Sequence, residues 1–323
     1  MNIKELEEKS KAYRKKILKY IYNAKAGHTG GSLSIIDILN VLYNKVLNVS
    51  PENFNSPEKD IFIQSKGHCV EALYVVLADK GFFPEDDLLT LCQYQSPYIG
   101  HPTKKIKGME QNTGGLGHGL SICCGSALAA QKDQSDVKVY TVLGDGEMAE
   151  GSNWEAFMFA AHYKLDNLCA ILDYNKLQIT APNADVMGLE PLDKKLEAFG
   201  WAVRHVDGND VVDVYEQAKI AVERAKSGQG PTLIVAETYR WKGHSRSDKN
   251  LYRTKEEIEE WRERDPIPKF TSKIIEAGLM TKEQCDAIAQ EATDAIIAFV
   301  MVSVTYAMYR KLYTATYTPS EIN

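Results

Sequence analysis

A carboxylate stands between two glycines at the end of a β-branched run. In "VYTVLGDGEMAEGSNWEA", residues 139–156, Asp145 lies between Gly144 and Gly146, and Glu147 and Glu150 follow. A second apolar run, "LCAILDYNKLQI", delivers Asn175 30 positions after Asp145. If the two runs are adjacent parallel strands joined by one helix, the carboxylate and the amide oxygen end side by side. With a nearby backbone carbonyl they form a hard-oxygen donor set suited to Mg²⁺ or Ca²⁺, an ion that also takes phosphate oxygens and water. Gly144 and Gly146 would let a diphosphate approach the backbone without meeting a Cβ. A helix starting near Glu150–Gly151 would turn its N-terminus towards that charge. On these residues alone, an acidic turn with an unrelated asparagine stays open.

Histidine is the second signal. Of the seven histidines, His28, His68, His101 and His244 fall in glycine-containing loops: "AGHTGGS", "SKGH", "GHPT" and "KGHS". One such histidine is usually a loop residue making a single backbone hydrogen bond. Four of them suggest a set able to donate, accept or carry protons near pH 7. His162 and His205 read as structural. The "GGLGHG" segment has the wrong spacing for a dinucleotide fingerprint and no strand immediately before it.

These residues need a scaffold that brings distant loops together. Strand candidates at 137–143, 168–174, 201–206 and 232–238 alternate with helical patterns at 150–163, 192–199 and 210–227, and "KDIFIQSKGH" opens with a shorter strand. Near-continuous apolar strands alternating with helices predict an α/β fold, a doubly wound, mostly parallel sheet with helices on both faces. Ligands bind such sheets beyond the carboxyl ends of the strands, where "GDG", "NKLQI" and "YRWKGHSRSD" all fall. The N-terminal segment predicts an amphipathic helix with Leu6, Ile17, Leu18 and Ile21 on its apolar side, and "LSIIDILNVLYNKVL" predicts another helix. The expected organisation is one domain over 1–250 and a helical extension over 251–323. The apolar stretch 295–318 is expected to form a buried or interface helix, its richest part being too short to span a bilayer. A net charge of −6 over 323 residues offers no basic face for nucleic acid. Six cysteines without CxxC spacing read as free thiols in a reducing cytoplasm. No signal peptide or membrane partner is expected.

Taken in order, "NAKAGHTGGSLSIIDIL", "SKGHCVEALY", "GHPT", "NTGGLGHGLS" and the segment from "GDG" to Asn175 resemble the diphosphate-binding half of transketolases over residues 5–240. The last of these is similar to the thiamine diphosphate motif. The resemblance implies that Asp145, Asn175 and the carbonyl of Leu177 hold Mg²⁺, with Ca²⁺ or Mn²⁺ able to substitute. It places Gly144, Gly146 and His68 at the diphosphate, Gly114 and Leu116 at the aminopyrimidine through backbone groups, and Ile179 against the cofactor. His28, His101 and His244 would surround the reacting carbons. Glu150 matches the acidic residue that communicates between paired active sites. His118 stands where glutamine is common. The implied activity is transfer of a two-carbon ketol unit from an anionic ketose to an aldose.

Past residue 238, "ETYRWKGHSRSDKNLYRTKEEIEEWRERDPI" resembles the alpha subunit of the decarboxylating component of 2-oxo acid and acetoin dehydrogenases. In that family the loop histidine, here His244, also lies at the cofactor, and the next serine, here Ser245, is phosphorylated in some members. This defines the alternative activity, decarboxylation of a 2-oxo acid. "AGHTGGS", with His28, favours the transketolase side, and the intact Asp145/Asn175 pair argues against a non-catalytic homologue. In this superfamily the glutamate that activates the cofactor belongs to a pyrimidine-binding domain, and none follows here. The expectation is a second subunit that carries it, in an α2β2 assembly with interfacial active sites.

Overall fold

The computed structural model describes residues 3–240 except 180, then 243, 244, 248 and 252–263, with short stretches between 272 and 290. Ser245 and the apolar stretch at 295–318 lie outside the described residues. The chain divides into two units, 1–261 and 262–323; the first holds the fold that follows.

Its centre is a five-stranded parallel sheet of β1 (Ile61–Gln64), β2 (Val139–Gly144), β3 (Leu168–Tyr174), β6 (Ala202–Asp207) and β7 (Thr232–Glu237). The strand order is β1-β2-β3-β7-β6, and β4 (Leu177–Gln178) and β5 (Ala181–Pro182) form a small antiparallel pair beyond the end of β3. The helices are α1 (Ile3–Ala24), α2 (Thr29–Ser34), α3 (Ile36–Val41), α4 (Val70–Asp79), α5 (Gly119–Lys132), α6 (Gly151–His162), α7 (Asn183–Val186), α8 (Leu192–Phe199), α9 (Val211–Lys226) and α10 (Lys255–Glu263).

Side chains alternate across a strand, so each central strand feeds two cores. Tyr140, Val142, Cys169, Ile171, Ile234 and Ala236 join α1, α3, α4 and α9 on one face. Val139, Leu143, Leu168, Ala170, Leu172, Leu233 and Val235 join α5, α6 and α8 on the other. This is the doubly wound arrangement expected from the near-continuous apolar strands, and each predicted strand agrees with its observed span to within two residues.

Two local expectations change. The run from Leu33 to Leu47 forms two short helices that break at Ile35 and end in a wide turn at Leu42–Val46. In α1 the buried stripe is Leu6, Tyr13, Ile17, Tyr20 and Ile21, while Leu18 is 37% exposed. Steps of three and four residues hold one helical face, and Leu18 lies a further 100° round from Ile17. The tyrosines complete the stripe because their hydroxyls find carboxylates: Tyr13 donates to Asp79 (2.6 Å) and Tyr20 to Glu85 (2.9 Å). Among the described residues no helix is long and apolar enough to cross a membrane. All six cysteines are free.

Ile17→Ala is expected to cost about 2–5 kcal/mol and Leu18→Ala less than about 0.5 kcal/mol. Denaturant unfolding of the two variants measures the difference, and equal losses would contradict this assignment of the buried face.

Candidate active site

The carboxyl end of the sheet gathers the segments singled out from sequence. Parallel register sets Gly144 beside Asp173, so the chain leaves β2 and β3 at the same level. The Asp145 amide donates to the Asp173 carbonyl at 3.3 Å. The Asp145 carboxylate accepts from the Gly146 amide at 2.8 Å and from the Lys176 amide, so both turns close on one side chain. Asn175 Oδ1 accepts from the Leu177 amide at 3.1 Å, fixing the amide beside the carboxylate. Asp145 is buried, and burial followed by the charge of Asp173 pushes its carboxyl up to about 7. A buried carboxylate raised in this way is poised to gain a cation.

Among the described residues no group of three or more His, Cys, Asp or Glu side chains could hold a metal. The donors gathered here are one carboxylate, an amide oxygen and backbone carbonyls, which fits a hard ion completed by phosphate and water. Buried polar atoms without a hydrogen-bond partner include His28 Nδ1, Gln178 Oε1 and Arg240 Nε. Buried polar atoms are rarely left unpaired, so they fit a site shaped for a polar group. The turn after β3 is strained. Lys176 (φ 64°) and Ile179 (φ 51°) adopt left-handed backbone, a marked outlier for a β-branched residue. Ile179 is 58% exposed, and its carbonyl accepts from Arg240 at 2.8 Å.

The glycines have specific uses. A Cβ on Gly146 would come within 3.0 Å of the Gln178 side chain, whereas one on Gly144 would make only ordinary contacts at 3.8 Å. Gly114 has φ 135°, and a Cβ there would stand 2.5 Å from His101 Cδ2, so its missing side chain makes room for that ring. Leu116 is half-buried, with His118 Nδ1 3.0 Å from its carbonyl oxygen. Glu150 is the exposed residue preceding α6, its side chain making no capping bond, with the Gly117 backbone against its stem.

His28, His68, His101 and His244 converge. From His28 the ring centroids lie 5.3 Å to His68, 6.2 Å to His101 and 5.3 Å to His244, and His68 and His244 are 5.5 Å apart. Burial, then the charges of His244, His101 and Lys66, pushes His28 down to about 4. Burial and then Lys66 push His68 down to about 2. Burial lowers His101; for His244, burial leads, Arg240 adds to it and Asp248 opposes it. All four are therefore neutral imidazoles at pH 7, each with one donor and one acceptor nitrogen. His162 and His205 stand apart: His162 packs on Tyr163 at the far end of α6, and His205 Nε2 lies 2.8 Å from Asp193.

Four residues not singled out from sequence shape the site. Lys66 and Asp173 form a fully buried ion pair, and Asp173 also accepts from Ser34 (2.6 Å) and Thr238. Burial opposes the Lys66 charge, yet Asp173, with Cys69 and Asp145, holds the ammonium above its ordinary range. Glu147 is buried and accepts from Ser65, the Gly117 amide (2.9 Å) and the Gly144 amide (3.0 Å), tying three loops together. Arg240 is buried between Ile179, Tyr252 and His244. Asp248 then accepts from the His244 amide at 2.7 Å and from Tyr252 at 2.8 Å. Of the four, Asp173 carried a sequence signal as a carboxylate inside an otherwise apolar strand, and Glu147 was noted only as an acidic residue after the Gly-Asp-Gly turn.

Because His28 titrates lower in the folded protein than unfolded, its contribution to stability is full above about pH 6.5 and is lost as pH falls towards about 4. His28→Asn is expected to lose that contribution. Subtracting its stability–pH curve from that of the native chain should leave a difference that declines between pH 6.5 and 4. A flat difference would contradict a buried neutral His28.

Comparison with known proteins gives the lineage. Residues 93–307 match the family described as the dehydrogenase E1 component. The chain is 47% identical to an apulose-4-phosphate transketolase subunit from Actinobacillus succinogenes, covering 75% of this chain and 87% of the relative. It is 41% identical to a 6-deoxy-6-sulfo-D-fructose transketolase subunit from a Clostridium species, covering 76% and 89%. Among solved structures, transketolase from Campylobacter jejuni superposes with a TM-score of 0.68 at 34% identity, covering 74% of this chain and 38% of that one. The chain thus spans little over a third of a full-length transketolase but most of the separate subunits. It belongs to the transketolase family, as an N-terminal transketolase subunit.

Proposed function

We propose that this chain is the diphosphate-binding subunit of a two-chain transketolase that uses thiamine diphosphate and Mg²⁺. The observation that carries the reading is the joined end of β2 and β3, where Gly144 pairs with Asp173 and both following turns close on Asp145, together with the four histidines that converge on one another. Asp145, Asn175 and the Leu177 carbonyl would hold the ion, and the Gly146 turn and His68 would face the diphosphate. Gly114 and Leu116 would face the aminopyrimidine, and Ile179 would pack on the cofactor. When bound, thiamine diphosphate supplies the carbon nucleophile that cleavage beside a ketose carbonyl requires.

The chain's own residues do the rest. Neutral His28, His101 and His244 can accept a proton from a substrate hydroxyl or donate one to a carbonyl oxygen, which a cationic cluster could not do in both directions. Lys66 lies beneath them as a fixed positive charge favouring an anionic oxygen. Glu150, exposed at the start of α6, would meet a neighbouring protomer and relay between paired sites. The relatives named for apulose-4-phosphate and for 6-deoxy-6-sulfo-D-fructose support a ketose with an anionic group at its far end. Their designation as subunits supports a partner chain; in the proposed enzyme that chain carries the pyrimidine-binding domain, in an α2β2 assembly acting in the cytoplasm.

A second reading is favoured by the match to the dehydrogenase E1 component, which includes His244 and the Arg240, Asp248 and Tyr252 side chains bonded around it. In that reading the same cofactor would decarboxylate a 2-oxo acid.

Co-expression with its partner, followed by ketose–aldose exchange and 2-oxo acid-dependent dye reduction assays, separates the two. The expected result is exchange in the assembled complex, negligible turnover by this chain alone and no dye reduction. Dye reduction without exchange would establish the second reading, and full exchange by the isolated chain would overturn the two-chain proposal.

A further inference from the structure

The "AGHTGGS" motif hangs on a carboxyl group with no role so far. Glu71, in the first turn of α4, is 1% exposed and lies directly against the loop that carries His28. Its Oε1 accepts from the His28 amide at 3.2 Å, and its Oε2 accepts from Ser32 Oγ at 2.8 Å. The Ser32 amide donates back to the His28 carbonyl at 3.0 Å. We propose that Glu71 is the positioning residue for His28, a clamp that fastens both ends of the first turn of α2 and so aims the imidazole at His68 and His244. The inference rests on the reading of His28 as a group at the reacting carbons.

The local physics requires such a clamp. α2 has six residues, "TGGSLS", two of them glycine, too few and too flexible to be stable by themselves. Its N-cap is His28, whose side chain makes no capping bond. The capping acceptor therefore comes from another helix, and the donor it satisfies belongs to His28 itself. The glycines fit this contact. Gly27 has φ 131°, and a Cβ there would stand 2.6 Å from Glu71 Oε1, while a Cβ on Gly31 would stand 2.3 Å from Cys69 Sγ. The motif thus lets α2 lie flush on the turn from His68 to Glu71, which brings the His28 and His68 rings to 5.3 Å. The hydrogen-bond partners of the carboxyl, its own backbone amide, Ser32 and the His28 amide, are all neutral, and burial pushes it up to about 7. A glutamine side chain can therefore stand in for it.

The test uses the two-chain holoenzyme for rates and the full chain for spectroscopy. Glu71→Ala is expected to lower kcat by about 10- to 100-fold through misplacement of His28, and Glu71→Gln to restore it to within about threefold of the native rate. In a His28→Ala background, Glu71→Ala should change the rate by less than about twofold, because the two act as a unit. In nitrogen-edited spectra, the His28 imidazole resonance should move in Glu71→Ala and return in Glu71→Gln. Should Glu71→Ala fail to fold, Ser32→Ala removes one arm of the clamp and is expected to shift the same resonance. Unmoved His28 resonances in a folded variant, or an undiminished loss in the His28→Ala background, would overturn the clamp. A His28→Ala enzyme at the native rate would instead overturn the reading of His28 on which the inference rests.

Discussion

The carboxyl end of the sheet is organised around two opposite charges buried side by side. Lys66 comes from the turn after β1 and Asp173 from inside β3, while Ser34 at the end of α2 and Thr238 after β7 complete the bonding of the carboxylate. Four separate segments converge on one side chain. Removing either charge would strand the other, which costs on the order of 3–5 kcal/mol. The pair therefore fixes where α2, and with it His28, sits relative to the strand ends. It also adds to the electrostatics that burial dominates: after burial, Asp173 raises the Asp145 carboxyl and Lys66 lowers His68, with a smaller effect on His28.

Those two consequences act together. A raised carboxyl at the strand ends favours the arrival of a cation, and depressed imidazoles around it remain available for proton transfer in either direction at neutral pH. Glu147 serves the same end by geometry, holding the "GLGHG" loop, the turn after β1 and the end of β2 at fixed separation. Arg240 is buried with one unpaired side-chain nitrogen between Ile179 and His244. The dehydrogenase-like segment and the transketolase-like body meet at a single histidine cluster.

Much of this was legible in the sequence, for a physical reason. The central strands of a doubly wound sheet are buried on both faces, so their apolar runs stand out, and β2, β3 and β7 could be read directly. Asp145 and Asn175 could be paired because a parallel register needs only strand ends and one crossover. The four loop histidines shared a residue type with glycine neighbours. Lys66, Glu147 and Arg240 were not legible because burial of a charge is a tertiary fact. A lysine before Gly-His and a glutamate after a glycine turn look solvated until distant segments close over them. Leu18 was misassigned for the opposite reason: its residue type suggested burial, but its helical angle points it outwards. The glycines of "AGHTGGS" make room for Glu71 and Cys69, a close approach that only the structure identifies.

The central claim is that the joined ends of β2 and β3 seat a metal-bound diphosphate. Calorimetric titration of thiamine diphosphate into the co-purified two-chain complex tests it most directly, with Mg²⁺, with a chelator, and with a folded Asp145→Ala variant. The account predicts saturable binding with Mg²⁺ that is lost on chelation and lost in the variant. Binding that persists undiminished in either case would contradict it.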